Sequence, residues 1–290
     1  MKRFDYLTPK SLKEALEMMS ERPEAIPLAG GTDILVQMKE GDRPVEALLS
    51  LKRVKEMHHY EQNGSLTLGA GTLVGQIAAD QQIQQDYTAL AIGAGLIGSV
   101  QIRNMATVGG NLSNAAPSAD TAPPLLVLDA RVVIAGLDGE RTVPLADFFL
   151  ESGRTLLKSD ELLKEIILPK RANKSGSFYI RHSRRNRMDI ATVGVAAALT
   201  LHADGTIKDA RLALGAVAPV PMRAEKAEAR LTGQTLTEAL LKEVGATAAQ
   251  EAKPVDDQRA SAEYRHHMVN VLTQRALRNA SERAKGSEGA

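Results

Sequence analysis

Two glycine pairs are the positions in this chain best suited to hold a charged ligand: Leu28-Ala29-Gly30-Gly31-Thr32-Asp33 and Ala106-Thr107-Val108-Gly109-Gly110-Asn111. Adjacent glycines lack Cβ atoms and tolerate positive φ, so the main chain turns sharply, approaches an anion closely and aims successive N–H groups into one concavity. Each pair is entered from an apolar stretch and left through a residue that can hydrogen-bond. One such loop is explained by turn structure alone. Two matched loops predict a ligand gripped from both sides, and a diphosphate fits that grip, so the expected ligand is a dinucleotide.

Other chemistries find little support. The chain has 0 cysteines, which excludes a disulfide framework, a thiol nucleophile, a thiolate zinc site and a Cys-ligated iron–sulfur cluster in this polypeptide. The pairs His58-His59 and His266-His267 lack the i, i+4 spacing that sets two ligands on one helical face, and no H-E-x-x-H occurs, so no metal site is expected. No Ser, His and Asp set suggests a hydrolytic triad, and no catalytic residue is assigned. Gly93-Ala94-Gly95-Leu96-Ile97-Gly98 satisfies G-x-G-x-x-G. That fingerprint needs a strand before it and a helix after it, whereas Tyr87 to Ile92 has helical character and Ser99 to Met105 is polar. The spacing instead predicts glycines that let a helix pack closely.

Composition bounds the class. At 290 residues, with 43% hydrophobic and 24% charged residues, the chain reads as two or three globular domains. Lys plus Arg total 36 against 35 for Asp plus Glu, which gives no long-range pull on nucleic acid or anionic lipid. Aromatics at 3%, with no Trp, leave few platforms for stacking bases, so no nucleic-acid partner is expected. Met1 to Tyr6 holds no apolar signal core and no stretch suits a membrane span, so a cytoplasmic protein is expected.

The elements that must position the glycine loops follow from periodicity. Ser11-Leu12-Lys13-Glu14 matches a capping box, and Leu12, Ala15, Leu16 and Met19 continue it as a helix to about Glu21. Ile26 to Leu28 reads as a strand, Thr32 and Asp33 as caps for a helix over Ile34 to Lys39, and Val45 to Leu51 as a second strand. A middle region follows with a strand over Leu66 to Ala70, helices over Thr72 to Asp80 and Tyr87 to Ile97, a hairpin from Val132 to Val143 turning at Asp138-Gly139, and a strand over Leu162 to Leu168. Lys170 to Ser177 reads as a linker. Beyond it come strands at Phe178 to His182, Thr192 to His202 and Ile207 to Val217, then helices near Leu236 to Glu251 and Ser261 to Asn279, with Ala280 to Ala290 expected to fray. The domains expected are 1–52, 53–170 and 177–282.

The first glycine segment, the run Gly98-Ser99-Val100-Gln101-Ile102-Arg103-Asn104-Met105 leading into the second, and Met188-Asp189-Ile190-Ala191-Thr192 together resemble the FAD-binding medium subunit of the molybdenum hydroxylases. That family includes bacterial xanthine dehydrogenase, the most similar branch, with carbon monoxide dehydrogenase and nicotinate dehydrogenase. The resemblance implies an α+β fold of the FAD-binding type shared with vanillyl-alcohol oxidase: two N-terminal α/β FAD-binding subdomains plus a C-terminal domain with a three-stranded antiparallel sheet and helices that partly covers the flavin. It implies FAD held by Leu28, Ala29, Gly30, Gly31, Thr32 and Asp33 and by Thr107, Val108, Gly109, Gly110 and Asn111. It places Asp120 at the cofactor, which we read as contact with ribityl or ribose hydroxyls, and Leu162 at the flavin ring. It sets Arg181 where many relatives carry Lys near the isoalloxazine, a cation that would stabilise negative charge on reduced flavin. Ile97 stands where some relatives have an aromatic. Asp120 could also cap the segment from Thr121, and Arg181 to Arg187 could be a solvated basic loop.

By the same resemblance the chain is an electron-transfer subunit. A small iron–sulfur subunit with two 2Fe-2S clusters would deliver electrons drawn from substrate by a large molybdopterin subunit, in a dimer of heterotrimers. FAD on this chain would pass them to NAD+ or another acceptor, and the chain would be active only in the complex. Two alternatives are a stand-alone FAD-dependent oxidoreductase of the same fold and a non-catalytic nucleotide-binding protein.

Overall fold

The computed structural model of the chain describes residues 3–41, 45–185 and 187–286. Met1 and Lys2 of the first expected domain, Asn186 of the basic run and residues 287–290 of the tail lie outside the described residues.

The chain opens with β1 (Asp5–Leu7), α1 (Leu12–Glu21), β2 (Ala25–Leu28), α2 (Ile34–Glu40) and β3 (Ala47–Ser50). The strands form a parallel sheet in the order β1-β3-β2, in which Leu48 pairs with Tyr6 on one side and Ile26 on the other. Ser11 Oγ accepts the Glu14 N–H at 3.2 Å as the capping box predicts. The return bond sits one residue further out, where the Glu14 carboxylate accepts the Lys10 N–H at 2.6 Å. Leu12, Ala15, Leu16 and Met19 are the buried face of α1. The expected Asp33 cap is corrected: Asp33 precedes α2 with φ −103 and ψ −54, a helical rather than extended conformation, and its side chain makes no capping bond.

The middle region contains β4 (Tyr60–Gln62), β5 (Leu66–Gly69), six short helices, then β6 (Arg131–Gly136), β7 (Gly139–Pro144), β8 (Phe149–Glu151), β9 (Arg154–Thr155) and β10 (Leu162–Leu168). The helices are α3 (Val74–Ala79), α4 (Gln81–Asp86), α5 (Thr88–Leu96), α6 (Val100–Arg103), α7 (Val108–Ser113) and α8 (Ala122–Val127). A five-stranded antiparallel sheet runs β4-β5-β10-β6-β7, with Ile166 opposite both Leu68 and Val132. All six helices are therefore an excursion of the chain between β5 and β6, two strands that flank β10. Gly93 lies inside α5, where a Cβ would strike the Asp120 carbonyl and come within 3.0 Å of Pro124 Cγ, so glycine here lets α5 seat against the start of α8.

The second glycine pair is not a turn. Thr107 caps α7, its Oγ1 accepting the Gly110 N–H at 3.0 Å, and both glycines belong to the helix's first turn. The sequence expectation erred because Thr-x-x-Gly after an extended Ala106-Thr107 is also a helix start.

The C-terminal region consists of β11 (Ser175–His182), β12 (Val193–Leu201), β13 (Ile207–Gly215), β14 (Met222–Arg223), α9 (Glu225–Ala229), α10 (Glu238–Glu251) and α11 (Ala262–Gly286). The sheet has four strands, ordered β11-β12-β13-β14, where three were expected. Two residues are too few to show the alternation that reveals a strand. The expected linker also contributes Ser175 to Ser177 to β11. The tail expected to fray from Ala280 is helical to Gly286, with Ala280, Ser281 and Ala284 buried. Gly176 explains the close fit: a Cβ there would lie 2.5 Å from Ala284 N and 2.7 Å from Arg283 Cβ. Arg283 Nη1 also donates to Thr88 Oγ1 at 3.0 Å, tying α11 to α5. Ending the chain after Asn279 is expected to cost about 2–4 kcal/mol in denaturant-induced unfolding, because buried contacts on β11 and α5 are lost together. Among the described residues no helix is long and apolar enough to cross a membrane.

Candidate cofactor-binding cleft

An open cavity of about 1400 Å³ runs from the end of β2, past the start of α7, to the β11–β12 connection. Ala29 to Asp33 wall one side, and Thr107, Gly109, Gly110 and Asn111 the other. The two segments touch: a Cβ on Gly30 would collide with the Met105 carbonyl and lie 2.8 Å from Ala106 Cα, and one on Gly110 would lie 3.6 Å from Ala29 Cβ. Of these four glycines only Gly31 has positive φ, +75. Gly30 and Gly109 serve close approach of backbones, not turning.

The two segments differ in what they offer. The Val108, Gly109, Gly110 and Asn111 N–H groups are engaged by Thr72 O, Ala70 O, Thr107 Oγ1 and Thr107 O at 2.9 to 3.0 Å. The second segment thus supplies few free main-chain donors. The N–H groups of Gly30, Gly31, Thr32 and Asp33 have no acceptor among the described residues. Unsatisfied main-chain donors converging on a cleft are what an anion would complete. Asn111 Oδ1 accepts from Thr121 Oγ1 at 2.5 Å, which turns the Asn111 NH2 group toward a different partner.

The remaining sequence-expected residues divide. Asp120, Leu162 and Ile97 line the cleft, with Leu162 3% exposed. Leu28 and Val108 turn into the core, Leu28 against Met38, Val45 and Leu48. Arg181 is not part of the cleft wall. Its Nη1 lies 2.8 Å from Asp120 Oδ2, and Tyr179 donates its hydroxyl to Asp120 Oδ1, also at 2.8 Å. Burial pushes the Asp120 carboxyl above the usual carboxylate range against the pull of Arg181 and Tyr179, and raises the Tyr179 hydroxyl well above its ordinary value. From the basic run, Arg185 reaches the cleft, while Arg184 donates to Gln258 O at 3.3 Å.

Two contributors escaped the sequence reading. Tyr179 sits two residues before Arg181 on β11, a spacing that sets both on one face of a strand and was a usable signal. Ala70, Gly71 and Thr72 also line the cleft. At Gly71 a Cβ would lie 2.5 Å from the His58 ring and 2.8 Å from Met57 O, so the Gly-x-Gly spacing after β5 marks another close backbone crossing. Thr107→Ala, removing the α7 cap, is expected to cost about 1 kcal/mol in equilibrium denaturation.

A parallel α/β unit, an antiparallel sheet with helices, and a C-terminal sheet meeting at a donor-lined cleft define a protein built to hold an anionic ligand of dinucleotide size. Residues 2–171 match the family described as the FAD binding domain in molybdopterin dehydrogenase, and residues 178–280 match the CO dehydrogenase flavoprotein C-terminal domain. The chain belongs to the FAD-binding medium subunits of the molybdenum hydroxylase family. It is 33% identical over 284 residues to a xanthine dehydrogenase FAD-binding subunit of Escherichia coli, covering 97% of both chains. It is 32% identical to the carbon monoxide dehydrogenase medium chain of Hydrogenophaga pseudoflava, covering 95% of this chain and 96% of that one. A solved carbon monoxide dehydrogenase from Hydrogenophaga pseudoflava, lacking the Mo-pyranopterin moiety of its cofactor, superposes with a TM-score of 0.93 at 33% identity, covering 97% of this chain and 98% of that chain. Quinoline 2-oxidoreductase of Pseudomonas putida superposes at 0.91 with 28% identity, covering 99% of both chains. These likenesses carry the α+β FAD-binding fold and make the chain a flavin subunit of a molybdopterin-dehydrogenase complex.

Proposed function

We propose that this chain is the electron-transfer subunit that receives electrons from the 2Fe-2S clusters of a small partner subunit, serves a large molybdopterin subunit, and hands electrons to NAD+ or another acceptor. The observation that carries this reading is the row of N–H groups from Gly30 to Asp33, unpaired within the described residues and set on a cleft large enough for a dinucleotide. Those donors, with the Asn111 amide opposite them, would hold the diphosphate. Asp120 would accept from cofactor hydroxyls, and Leu162 and Ile97 would give the ring an apolar wall that excludes water. Bound FAD supplies a centre able to exchange electrons singly with an iron–sulfur cluster and in pairs with an acceptor. With no cysteine and no substrate-oxidising machinery of its own, the chain acts in the complex, as a cytoplasmic protein within a dimer of heterotrimers. Its units are 1–52, 53–170 and 177–282.

Purification of the chain with its partners tests this: yellow flavin absorbance on this chain, 2Fe-2S signals on one partner and molybdopterin on another are expected. A colourless chain, or one that turns over a substrate alone, overturns it. Free FAD at a hundredfold excess over its dissociation constant is expected to stabilise the isolated chain by about 2.7 kcal/mol, read as a rise in unfolding temperature that is absent with flavin-free buffer.

A further inference from the structure

We propose that Arg181 is a positioning residue: neutralised by Asp120, its guanidinium clasps the C-terminal sheet and residues 188–191 against the cleft and supplies no free cation to the cofactor. The inference rests on the flavin reading of the cleft given above. Three pieces of chain meet at one nitrogen. Arg181 Nη1 lies 2.8 Å from Asp120 Oδ2, 2.9 Å from Leu96 O at the end of α5 and 3.4 Å from Asp189 O in the connection that follows β11. A helix's C-terminal carbonyls favour a cation, so α5 adds to the pull of the carboxylate. The Arg181 and Asp120 side chains are 2% and 8% exposed. Arg181 Nη2 is also closed off from solvent and has no hydrogen-bond partner among the described residues, so neither terminal nitrogen opens onto the cleft. Asp120 does line the cleft. Asp120, not Arg181, is the member of the pair on the cleft wall, and the pair together carries no net charge.

The clasp reaches the cleft wall through Asp189. Its carboxylate accepts the Arg185 N–H at 2.7 Å and the Ile190 N–H at 2.9 Å, and Met188 has φ +54. Met188 to Ala191 form part of the wall.

Four variants in the full chain decide the matter: Arg181→Met, Arg181→Lys, Asp120→Asn and the Asp120→Asn/Arg181→Met pair. The readouts are tryptic cleavage at Arg184, Arg185 and Arg187, the FAD dissociation constant, and the potential of the bound flavin. Arg181→Met is expected to speed cleavage at least tenfold and weaken FAD at least tenfold while leaving the potential unchanged, because the buried Asp120 carboxyl, already raised by burial, takes up a proton once its guanidinium is gone. The double variant is expected to show the same fast cleavage and the same wild-type potential. Arg181→Lys, which keeps the charge and folds if Met does not, is expected to cleave faster than wild type. Cleavage unchanged in Arg181→Met and Arg181→Lys, or a potential lowered equally in Arg181→Met and the double variant, overturns the clasp. If the wild-type chain binds no FAD, the function proposed above fails while the cleavage measurements still judge the clasp.

Discussion

Replacing Gly30 with valine is expected to abolish flavin retention, with an FAD dissociation constant raised at least a hundredfold, or about 2.8 kcal/mol. The new Cβ would collide with the Met105 carbonyl and lie 2.8 Å from Met105 C and Ala106 Cα. Those atoms are backbone and have no rotamer to yield. The Ala106 carbonyl is itself engaged by the Val74 N–H at 3.0 Å, so the segment before α7 cannot retreat without breaking its anchor on α3. The first segment would have to move instead, carrying away the donors of Gly31, Thr32 and Asp33. Equilibrium dialysis of FAD against the variant, with circular dichroism to confirm that the rest of the chain is folded, checks it. The neighbouring pair provides a control. At Gly110 a Cβ would meet only the Thr107 hydroxyl at 2.9 Å and Ala29 Cβ at 3.6 Å, so Gly110→Ala is expected to weaken FAD less than tenfold.

Gly109→Val is expected to fail at an earlier stage and prevent stable folding. Its Cβ would collide with Ala70 Cβ, lie 2.7 Å from Ala70 O and 2.9 Å from Ala70 Cα, and disturb the Gly109 N–H to Ala70 O bond of 2.9 Å. Ala70 belongs to the main core with Leu68, Val74, Val108 and Leu112, and Gly109 is buried in the first turn of α7. Overpacking a closed site costs about 1–3 kcal/mol when side chains can shift, and more where two backbones meet. A domain's whole stability is only about 5–15 kcal/mol. The measurement is soluble yield and the denaturation midpoint; a variant that folds with an unchanged midpoint would mean that α7 does not seat on β5 as described.

These contrasts show where the sequence speaks and where it stops. Gly31 was legible because its role is local: a strand, a positive-φ turn and a helix follow each other within a few residues. Gly30 reads as part of that turn, whereas its need for glycine comes from Met105 and Ala106, far along the chain. The role of Gly109 was half legible. Its need for a small residue could be read, but its N–H is taken by Ala70, which lies far earlier in the chain on the other side of four helices, and no spacing rule reveals that occupancy. Arg181 is the same lesson in electrostatics, since a basic residue in the right place reads as a free cation until Asp120 and Tyr179 are found beside it. The end of α11 was missed for a simpler reason. Asn279 to Lys285 is polar in sequence, and its small buried residues Ala280, Ser281 and Ala284 leave no bulky apolar stripe to read, although Gly176 makes room for them.

The pairing of Leu68 with Ile166 has a kinetic corollary. The hairpins β4–β5 and β6–β7 are local, but β5 and β10 cannot pair until everything from α3 to β9 has emerged and collapsed, a closure whose entropic cost grows with the logarithm of loop length. Chains rich in such distant pairings mature in milliseconds to seconds rather than microseconds. A nascent polypeptide therefore carries the donor row of Gly30 to Asp33 before the α7 wall that faces it has been made.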